Sequence, residues 1–401
     1  MKKFISLLFI LLIITSLFTS CGEKSEIITL NVYNWGEYIS DGSEDSFDVN
    51  GGFEEYCREE FGIDVKINYT TYSDNESMYN KLKSGAAEYD IVIPSDYMIQ
   101  RMISEDMLLK LNFDNIPNYR YIDEDYKNLY YDPENEYSVP YTCGMVGLIY
   151  NSNMVDEKID SWSYLWNEKY SGDILQFNNP RDAFGTAMYY KGYSVNTTDK
   201  SEWDTACDML LEQKPLVQSY VMDEIFNKMK NGSASIAPYY AGDFLSMYES
   251  NENLCFSYPK EGTNIFVDAM CIPASSKNKE IAEIYINYML SEEPAVANAE
   301  YIYYASPNTL VAENEEYVEY MESIHEDAME ILYPEKINVN TEYYENLSPE
   351  LLEYENTLWE KLKIDNSVEP WVYIVTLLIL GFLAFLVISK LVKEKIRSKY
   401  Y

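Results

Sequence analysis

Residues 90–109 read DIVIPSDYMIQRMISEDMLL and join a short strand to a helix. The apolar run at 90–94 is typical of a buried strand, and the pattern at 97–109 favours a helix. The preceding sequence indicates a strand at 27–33, a helix at 52–61 and a strand at 65–70. A capping box at 73–76 then begins a helix that ends at Ser84. Strands that alternate with helices at this spacing predict a parallel, doubly wound α/β lobe.

A second α/β series follows from about Pro140. It comprises strands at 143–150, 235–237 and 266–272 and helices at 203–212, 223–230 and 280–290. In doubly wound sheets, ligands bind beyond the carboxyl ends of the strands. In the first lobe these ends fall at 34–38 and 94–97, so we expect part of a binding site there.

The charge balance excludes one class of partner and favours another. The 401 residues include 30 Lys and Arg against 67 Asp and Glu, which gives a net charge of −37. Nucleic-acid binding depends on Lys and Arg that displace counterions, so we expect no nucleic-acid partner. Such an acidic surface instead attracts cations.

Histidine and cysteine usage argues against catalysis and metal binding. His325 is the one histidine, which leaves little room for Ser-His-Asp, Cys-His or multi-His zinc chemistry. Beyond Cys21 the cysteines are isolated, with no C-x-x-C pair. We therefore predict no disulfide, no metal site and no cofactor. The acidic loop 40–52 lacks the EF-hand pattern and is expected to be a solvated loop.

The N-terminus has the pattern of a secretory signal. Lys2 and Lys3 precede a mostly apolar run at 4–18, and Leu17-Phe18-Thr19-Ser20-Cys21 resembles a bacterial lipobox. Residues 1–21 are therefore predicted to be a lipoprotein-type signal peptide with lipid attached to Cys21. An uncleaved anchor helix is the alternative.

The C-terminus has the pattern of a membrane span. No charged residue lies between Trp371 and Ser389, and a helix of this length covers a hydrocarbon core of about 30 Å. The tail 392–401 is basic, so the positive-inside rule places it in the cytoplasm. We predict a transmembrane helix at 371–391, with everything before it on the extracytoplasmic side of a bacterial cell membrane.

Six motifs occur in one order along nearly the whole extracytoplasmic part. They are Val32-Tyr33-Asn34-Trp35-Gly36-Glu37-Tyr38, Thr71-Tyr72-Ser73-Asp74-Asn75-Glu76-Ser77-Met78, Tyr89-Asp90-Ile91-Val92-Ile93-Pro94-Ser95-Asp96-Tyr97, Ser138-Val139-Pro140-Tyr141, Tyr258-Pro259-Lys260-Glu261-Gly262 and Ser306-Pro307-Asn308. The chain thereby resembles the bacterial spermidine/putrescine-binding proteins, which are the substrate-binding components of polyamine ABC transporters. The C-terminal helix is not part of the usual family pattern.

The resemblance implies a two-lobed, hinge-linked α/β fold of the periplasmic-binding-protein type (type II). It predicts hinge crossings near Val139 and Asp268. Lobe 1 would comprise 29–139 and 268–312, and lobe 2 would comprise 140–267 and 313–365. The implied partners are a polyamine and a membrane permease powered by a cytoplasmic ATPase.

Recognition of a polyamine requires carboxylates for its ammonium groups and aromatic faces along its methylenes, because an unpaired buried charge is costly. By the resemblance, the ligand-binding residues are Trp35, Glu37, Tyr38, Ser95, Tyr97, Asp182, Tyr239, Phe266, Asp268, Tyr304 and Glu345. Some positions depart from the family: Gly36 replaces a hydroxyl residue, Asn179 stands where an acid is common, and Tyr239 stands where a tryptophan is common. Glu345 replaces a common amide and is expected to favour a longer or more highly charged amine.

The sequence therefore predicts extracytoplasmic capture of polyamines for import, and no enzymatic activity. A binding protein for another cationic small molecule and a non-transport amine sensor are the alternatives. A glycosidase with paired carboxylates is chemically conceivable, but no stretch resembles one.

Overall fold

The computed structural model describes residues 27–333, 339–364, 374–385 and 388–390. The strands are β1 Ile28–Trp35, β2 Val65–Tyr72, β3 Ile91–Val92, β4 Ser138–Asn151, β5 Ile174–Phe177, β6 Val217–Val221, β7 Ile236–Tyr240, β8 Leu254–Ser257, β9 Thr263–Cys271 and β10 Thr341–Glu342. The helices are α1 Val49–Tyr56, α2 Asn75–Lys83, α3 Asp96–Ser104, α4 Pro180–Lys191, α5 Lys200–Gln213, α6 Glu224–Lys230, α7 Ala241–Ser250, α8 Lys279–Met289, α9 Glu292–Ile302, α10 Thr309–Ala312, α11 Glu315–Ile324, α12 Ala328–Leu332 and α13 Pro349–Ile364. The predicted signal peptide, with Cys21, lies outside the described residues.

The strands form two α/β halves that share two connecting strands. The order across the sheet is β2-β1-β3-β9-β4-β7-β5-β6, and β1 pairs in parallel with both β2 and β3. In the other half, β5 pairs in parallel with β6 and β7. This two-part α/β architecture agrees with the fold class predicted from the sequence.

β4 and β9 connect the two halves. The first part of β4, from Ser138 to Met145, pairs antiparallel with β9. The rest, from Val146 to Tyr150, pairs with β7. The crossings expected near Val139 and Asp268 fall in these two strands, and the lobe boundaries stay a prediction.

The first helices differ from expectation at their ends. The N-cap of α2 is Asp74 and not Ser73, because the Asp74 carboxylate accepts from the Ser77 amide at 2.7 Å. α1 begins at Val49, three residues earlier than predicted, because Asp48 caps it through the Gly51 amide. The acidic loop therefore ends at this cap.

The helix predicted at 97–109 ends earlier than expected. α3 stops at Ser104, and Asp106 adopts a left-handed backbone conformation with φ of 54°. This conformation is unfavourable inside a helix of L-residues, so the chain leaves the helix there.

The transmembrane helix predicted at 371–391 is not confirmed. Among the described residues, no helix combines the length and the apolar character needed to cross a membrane. Residues 374–385 and 388–390 are helical and largely exposed. The rest of the segment, and the basic tail 392–401, lie outside the described residues.

Candidate ligand-binding site

A cavity of about 80 Å³ lies between the two halves, where strands of both end. The segments after β1, β3, β5 and β6 all contribute residues, as expected for the carboxyl ends of parallel strands. The end of β7 and the middle of β9 add further residues. The cavity is lined by Trp35, Gly36, Glu37, Tyr38, Ser73, Asp74, Asn75, Glu76, Ser95, Asp96, Tyr97, Asn179, Arg181, Asp182, Met222, Asp223, Phe226, Tyr239, Tyr240, Asp243, Asn264, Phe266, Asp268, Tyr304 and Tyr344.

The structure brings ten of the eleven sequence-predicted site residues to this cavity. These ten are Trp35, Glu37, Tyr38, Ser95, Tyr97, Asp182, Tyr239, Phe266, Asp268 and Tyr304. Gly36 and Asn179, which depart from the family pattern, also line it.

Glu345 is the exception, and its assignment to the site needs correction. Its side chain is exposed, and the preceding residue, Tyr344, lines the cavity instead. Two backbone hydrogen bonds of Glu345 explain why Tyr344 and not Glu345 faces the cavity. Its amide donates to Asn196 Oδ1 at 2.8 Å, and its carbonyl accepts from Arg181 Nη2 at 3.3 Å.

Asp268 is a buried carboxylate with one free oxygen. It lies on β9 and is 4% exposed, and Tyr38 donates its hydroxyl to Oδ2 at 2.7 Å. Ser95 lies opposite Asp268 in an isolated antiparallel bridge. Within the described residues, Oδ1 has no hydrogen-bond partner. Burial raises the pKa of Asp268 to about 6, and the nearby Asp182 carboxylate adds to the rise.

Asp182 is held at the start of α4. Asn179, the N-cap of this helix, accepts from the Asp182 amide and donates to its carboxylate at 2.5 Å. The Tyr240 hydroxyl donates to the same carboxylate at 2.6 Å. Burial raises the pKa of Asp182. Because Asp182 and Asp268 interact electrostatically, we call them the inner group.

Three further carboxylates, Glu37, Asp223 and Asp243, form the outer group. The Tyr304 hydroxyl donates to Asp243 at 2.9 Å. Burial raises the pKa of Asp243 to about 8, and the charges of Asp223 and Glu37 contribute to the rise. Burial and the neighbouring Glu37 also raise the pKa of Asp223. These mutual effects show that the three carboxylates lie close together.

Gly36 makes room for the outer group. A Cβ atom at this position would lie 2.7 Å from Asp223 Oδ2. The next residue, Glu37, has a left-handed backbone with φ of 49°. The missing side chain at Gly36 therefore lets the two halves approach each other closely here.

A chain of aromatic rings connects the inner and outer groups. Tyr240 and Phe266 have ring centroids 5.5 Å apart, and Phe266 and Tyr304 have centroids 6.2 Å apart. Since Tyr240 is bonded to Asp182 and Tyr304 to Asp243, this chain runs from one group to the other. Trp35 also lines the cavity, and its indole Nε1 has no partner within the described residues.

The cavity lining, as far as the structure describes it, contains a single cationic side chain, Arg181. It is 4% exposed, and its guanidinium lies 4.5 Å from the Tyr344 ring centroid and 5.7 Å from that of Tyr97. Among the described residues, no Lys, Arg or His forms a salt bridge with a carboxylate of the inner or outer group. These acids are therefore available to a cationic ligand. No cluster of metal ligands occurs among the same residues.

Several cavity residues escaped the sequence reasoning. The most important are Arg181, Asp223, Tyr240, Asp243 and Tyr344. Asp243 could have been found by the strand-end rule, since it follows the end of β7 by three residues. Tyr344 had no such signal, because it lies in an irregular segment after β10.

Comparisons with known proteins agree with this site and fold. Residues 88–330 match the family described as bacterial extracellular solute-binding protein. The chain belongs to this family. The Escherichia coli K12 spermidine/putrescine-binding periplasmic protein is 34% identical over 293 residues, which are 72% of this chain and 80% of that protein.

Two solved structures resemble this solute-binding protein over 84% of its length and 99% of theirs. One is a Listeria monocytogenes protein provisionally assigned to a spermidine/putrescine ABC transporter, with 35% identity and a TM-score of 0.74. The other is the spermidine/putrescine ABC transporter substrate-binding protein PotD of Streptococcus pneumoniae, with 33% identity and a TM-score of 0.67. The resemblance expected from the sequence motifs is confirmed. Substrate-binding proteins of ABC transporters are not enzymes, so the prediction of no enzymatic activity agrees with the family.

Proposed function

We propose that this protein captures polyamines such as spermidine or putrescine outside the cytoplasmic membrane and delivers them to an ABC-type permease for import. The observation that carries the proposal is that five of the cavity's acids form an inner and an outer group joined by aromatic rings. A polyamine has the matching form, with ammonium groups separated by apolar methylenes.

The chemistry of the site favours an organic polycation over other solutes. Burial penalises the charge of four of these carboxylates and raises their pKa values, and an ammonium group relieves that penalty; they are Asp182, Asp223, Asp243 and Asp268. Rings such as Phe266 and Trp35 offer apolar contact to methylenes and cation–π attraction to ammonium groups. A neutral sugar would leave the acids without a counter-charge.

Capture would couple to closure of the two lobes. The inner group combines Asp268 of a connecting strand with Asp182 of α4, and the outer group combines Glu37 after β1 with Asp223 after β6. A ligand bound to both groups therefore makes contacts that exist only when the halves are together. Such extra contacts shift the equilibrium towards the closed form, which the permease then recognises.

The proposal includes attachment to the membrane. Lipid on Cys21 and a helix at 371–391 would keep the binding lobes at the extracytoplasmic surface, with the tail 392–401 in the cytoplasm. Labelling with a radioactive fatty acid, compared between the natural chain and Cys21→Ser, tests the lipid. Protease protection of a tag after Tyr401 in right-side-out vesicles tests the helix.

Thermal unfolding with a ligand panel tests the function. Putrescine, spermidine and spermine should raise the midpoint, because ligands that bind only the native state stabilise it. γ-Aminobutyrate and maltose should leave it unchanged. A shift with γ-aminobutyrate or with an unrelated cation, but none with the polyamines, would favour another solute. Binding without loss of polyamine uptake on gene deletion would favour a sensor.

A further inference from the structure

The two ends of the ligand cavity differ in charge and in shape. Arg181 and Tyr344 line the cavity beside the inner group, whereas at the outer group the cavity borders a groove of about 1030 Å³. The cavity and the groove share Glu37, Ser73, Met222, Asp223, Phe226 and Asp243. The outer group therefore lies at the boundary between the two spaces.

Arg181 is fixed in place by the backbone around it. Its guanidinium donates to the Val195 carbonyl at 3.3 Å, to Asn196 Oδ1 at 3.1 Å and to the Glu345 carbonyl at 3.3 Å. Asn196 is itself tied down, since it donates to the Tyr343 carbonyl at 2.7 Å. A buried arginine with three acceptors does not swing aside for a ligand.

The guanidinium closes the inner end to a second cation. It already occupies the aromatic surface there, at 4.5 Å from Tyr344 and 5.7 Å from Tyr97. Its charge also opposes the rise that burial causes in the pKa values of Asp182, Glu76 and Glu355. An ammonium group beyond Asp182 would meet the like charge of Arg181.

The groove at the other end has the opposite character. Its lining adds the acids Asp45, Glu224, Glu249 and Glu300 to those of the outer group, with Lys230 as the one cation among its described residues. A ligand that continues past the outer group therefore meets further negative charge and open space.

We infer that Arg181 determines ligand specificity by closing the inner end of the cavity. One unsubstituted terminal ammonium group of the ligand binds at the inner group, and any extra length or substituent lies in the groove. This inference rests on the proposed function. It predicts that the protein accepts a polyamine substituted at one terminal nitrogen and rejects one substituted at both. The rule follows from the single closed end and does not depend on total charge, since N-alkylated amines stay protonated.

Calorimetric titration with spermine, N1-ethylspermine and N1,N12-bis(ethyl)spermine tests the inference. The mono-ethyl ligand should bind within about threefold of spermine, because it loses only one of two equivalent orientations. The bis-ethyl ligand should bind at least 100-fold more weakly than the mono-ethyl ligand. Arg181→Gln should reduce this ratio to below tenfold, since it removes the charge and shortens the side chain.

Lys277→Gln is the matched control, because it removes one positive charge from an exposed side chain outside the cavity and the groove and should leave the ratio unchanged. Equal affinities for the mono-ethyl and bis-ethyl ligands, or an unchanged affinity ratio in folded Arg181→Gln, would overturn the inference. The proposed function would still stand if spermine binds. Absence of spermine binding while spermidine or putrescine still binds would overturn the inference alone, and absence of binding by all three amines would overturn both. If Arg181→Gln does not fold, a crystal structure of the natural chain with N1-ethylspermine tests the inference instead. The ethyl group should lie in the groove, and an ethyl group in contact with Arg181 would refute the inference.

Discussion

Replacement of Asp268 by asparagine removes the charge of the most buried acid of the inner group and keeps its shape. Near pH 7.5 a carboxyl group with a pKa of about 6 is mostly ionised, so its full charge is available to an ammonium group. Its Oδ1 has no partner among the described residues, which leaves one oxygen for the ligand. Loss of one partner of a buried charge pair costs about 2–4 kcal/mol, which weakens binding about 30- to 800-fold.

The assay is calorimetric titration of spermidine into the natural chain and into Asp268→Asn. Asp208→Asn is the charge-matched control, because the Asp208 side chain is 71% exposed and lies outside the cavity. The control should bind within about twofold of the natural chain. A loss of less than tenfold for Asp268→Asn would refute the assignment of this carboxylate to the ligand.

The same substitution should not destabilise the protein without ligand. The pKa of Asp268 is raised from 3.8 to about 6, so the folded state favours the neutral acid and the ionised carboxylate opposes folding above that pH. The stability it contributes is present below its ordinary pKa and is lost as the pH rises through about 6, by at most about 3 kcal/mol. The midpoint of thermal unfolding of Asp268→Asn near pH 7.5 should therefore equal or exceed that of the natural chain. A large fall would assign Asp268 a structural role.

Four further outcomes follow from the site. Spermidine affinity should rise between pH 6 and pH 8 by up to about tenfold per pH unit, because a bound ammonium group favours the ionised forms of Asp243 and Asp268 and so releases their protons. The proton release is measurable by calorimetry in buffers of different ionisation enthalpy. An affinity that does not change with pH would contradict the raised pKa values. Gly36→Ser should weaken spermidine binding, measured by titration, about tenfold or more, since the Cβ of the serine would press on Asp223. An unchanged affinity would refute the close approach of the two halves at Gly36. Glu345→Gln should leave the Kd within about twofold, because its carboxylate is exposed; a greater loss would return it to the site. The association rate in stopped flow should fall steeply between low and physiological salt, given the net charge of −37, and a salt-independent rate would exclude steering.

The sequence predicted those site residues whose positions are set by regular secondary structure. Trp35 and Glu37 lie at the end of β1, Ser95 and Tyr97 lie within five residues of the end of β3, and the carboxyl ends of neighbouring parallel strands converge. Asp268 was found because a motif resemblance places it on a connecting strand. In these cases the position along a regular element determines where the side chain lies.

Positions in irregular segments could not be predicted in the same way. After β10 a shift of one residue decides whether Tyr344 or Glu345 lines the cavity, and that register depends on hydrogen bonds from Arg181 and Asn196 to a distant stretch of chain. The N-cap of α2 shows the same limit on a small scale. Ser73 and Asp74 are both good capping residues, and only the backbone geometry selects Asp74.

Calorimetric titration of the purified protein with spermidine, putrescine and maltose tests the central claim most directly. The account predicts micromolar or tighter binding of at least one of the two amines, with no heat of binding for maltose. Absence of binding by both amines, under conditions in which the protein is folded, would contradict the assignment of the inner and outer carboxylates to a polyamine.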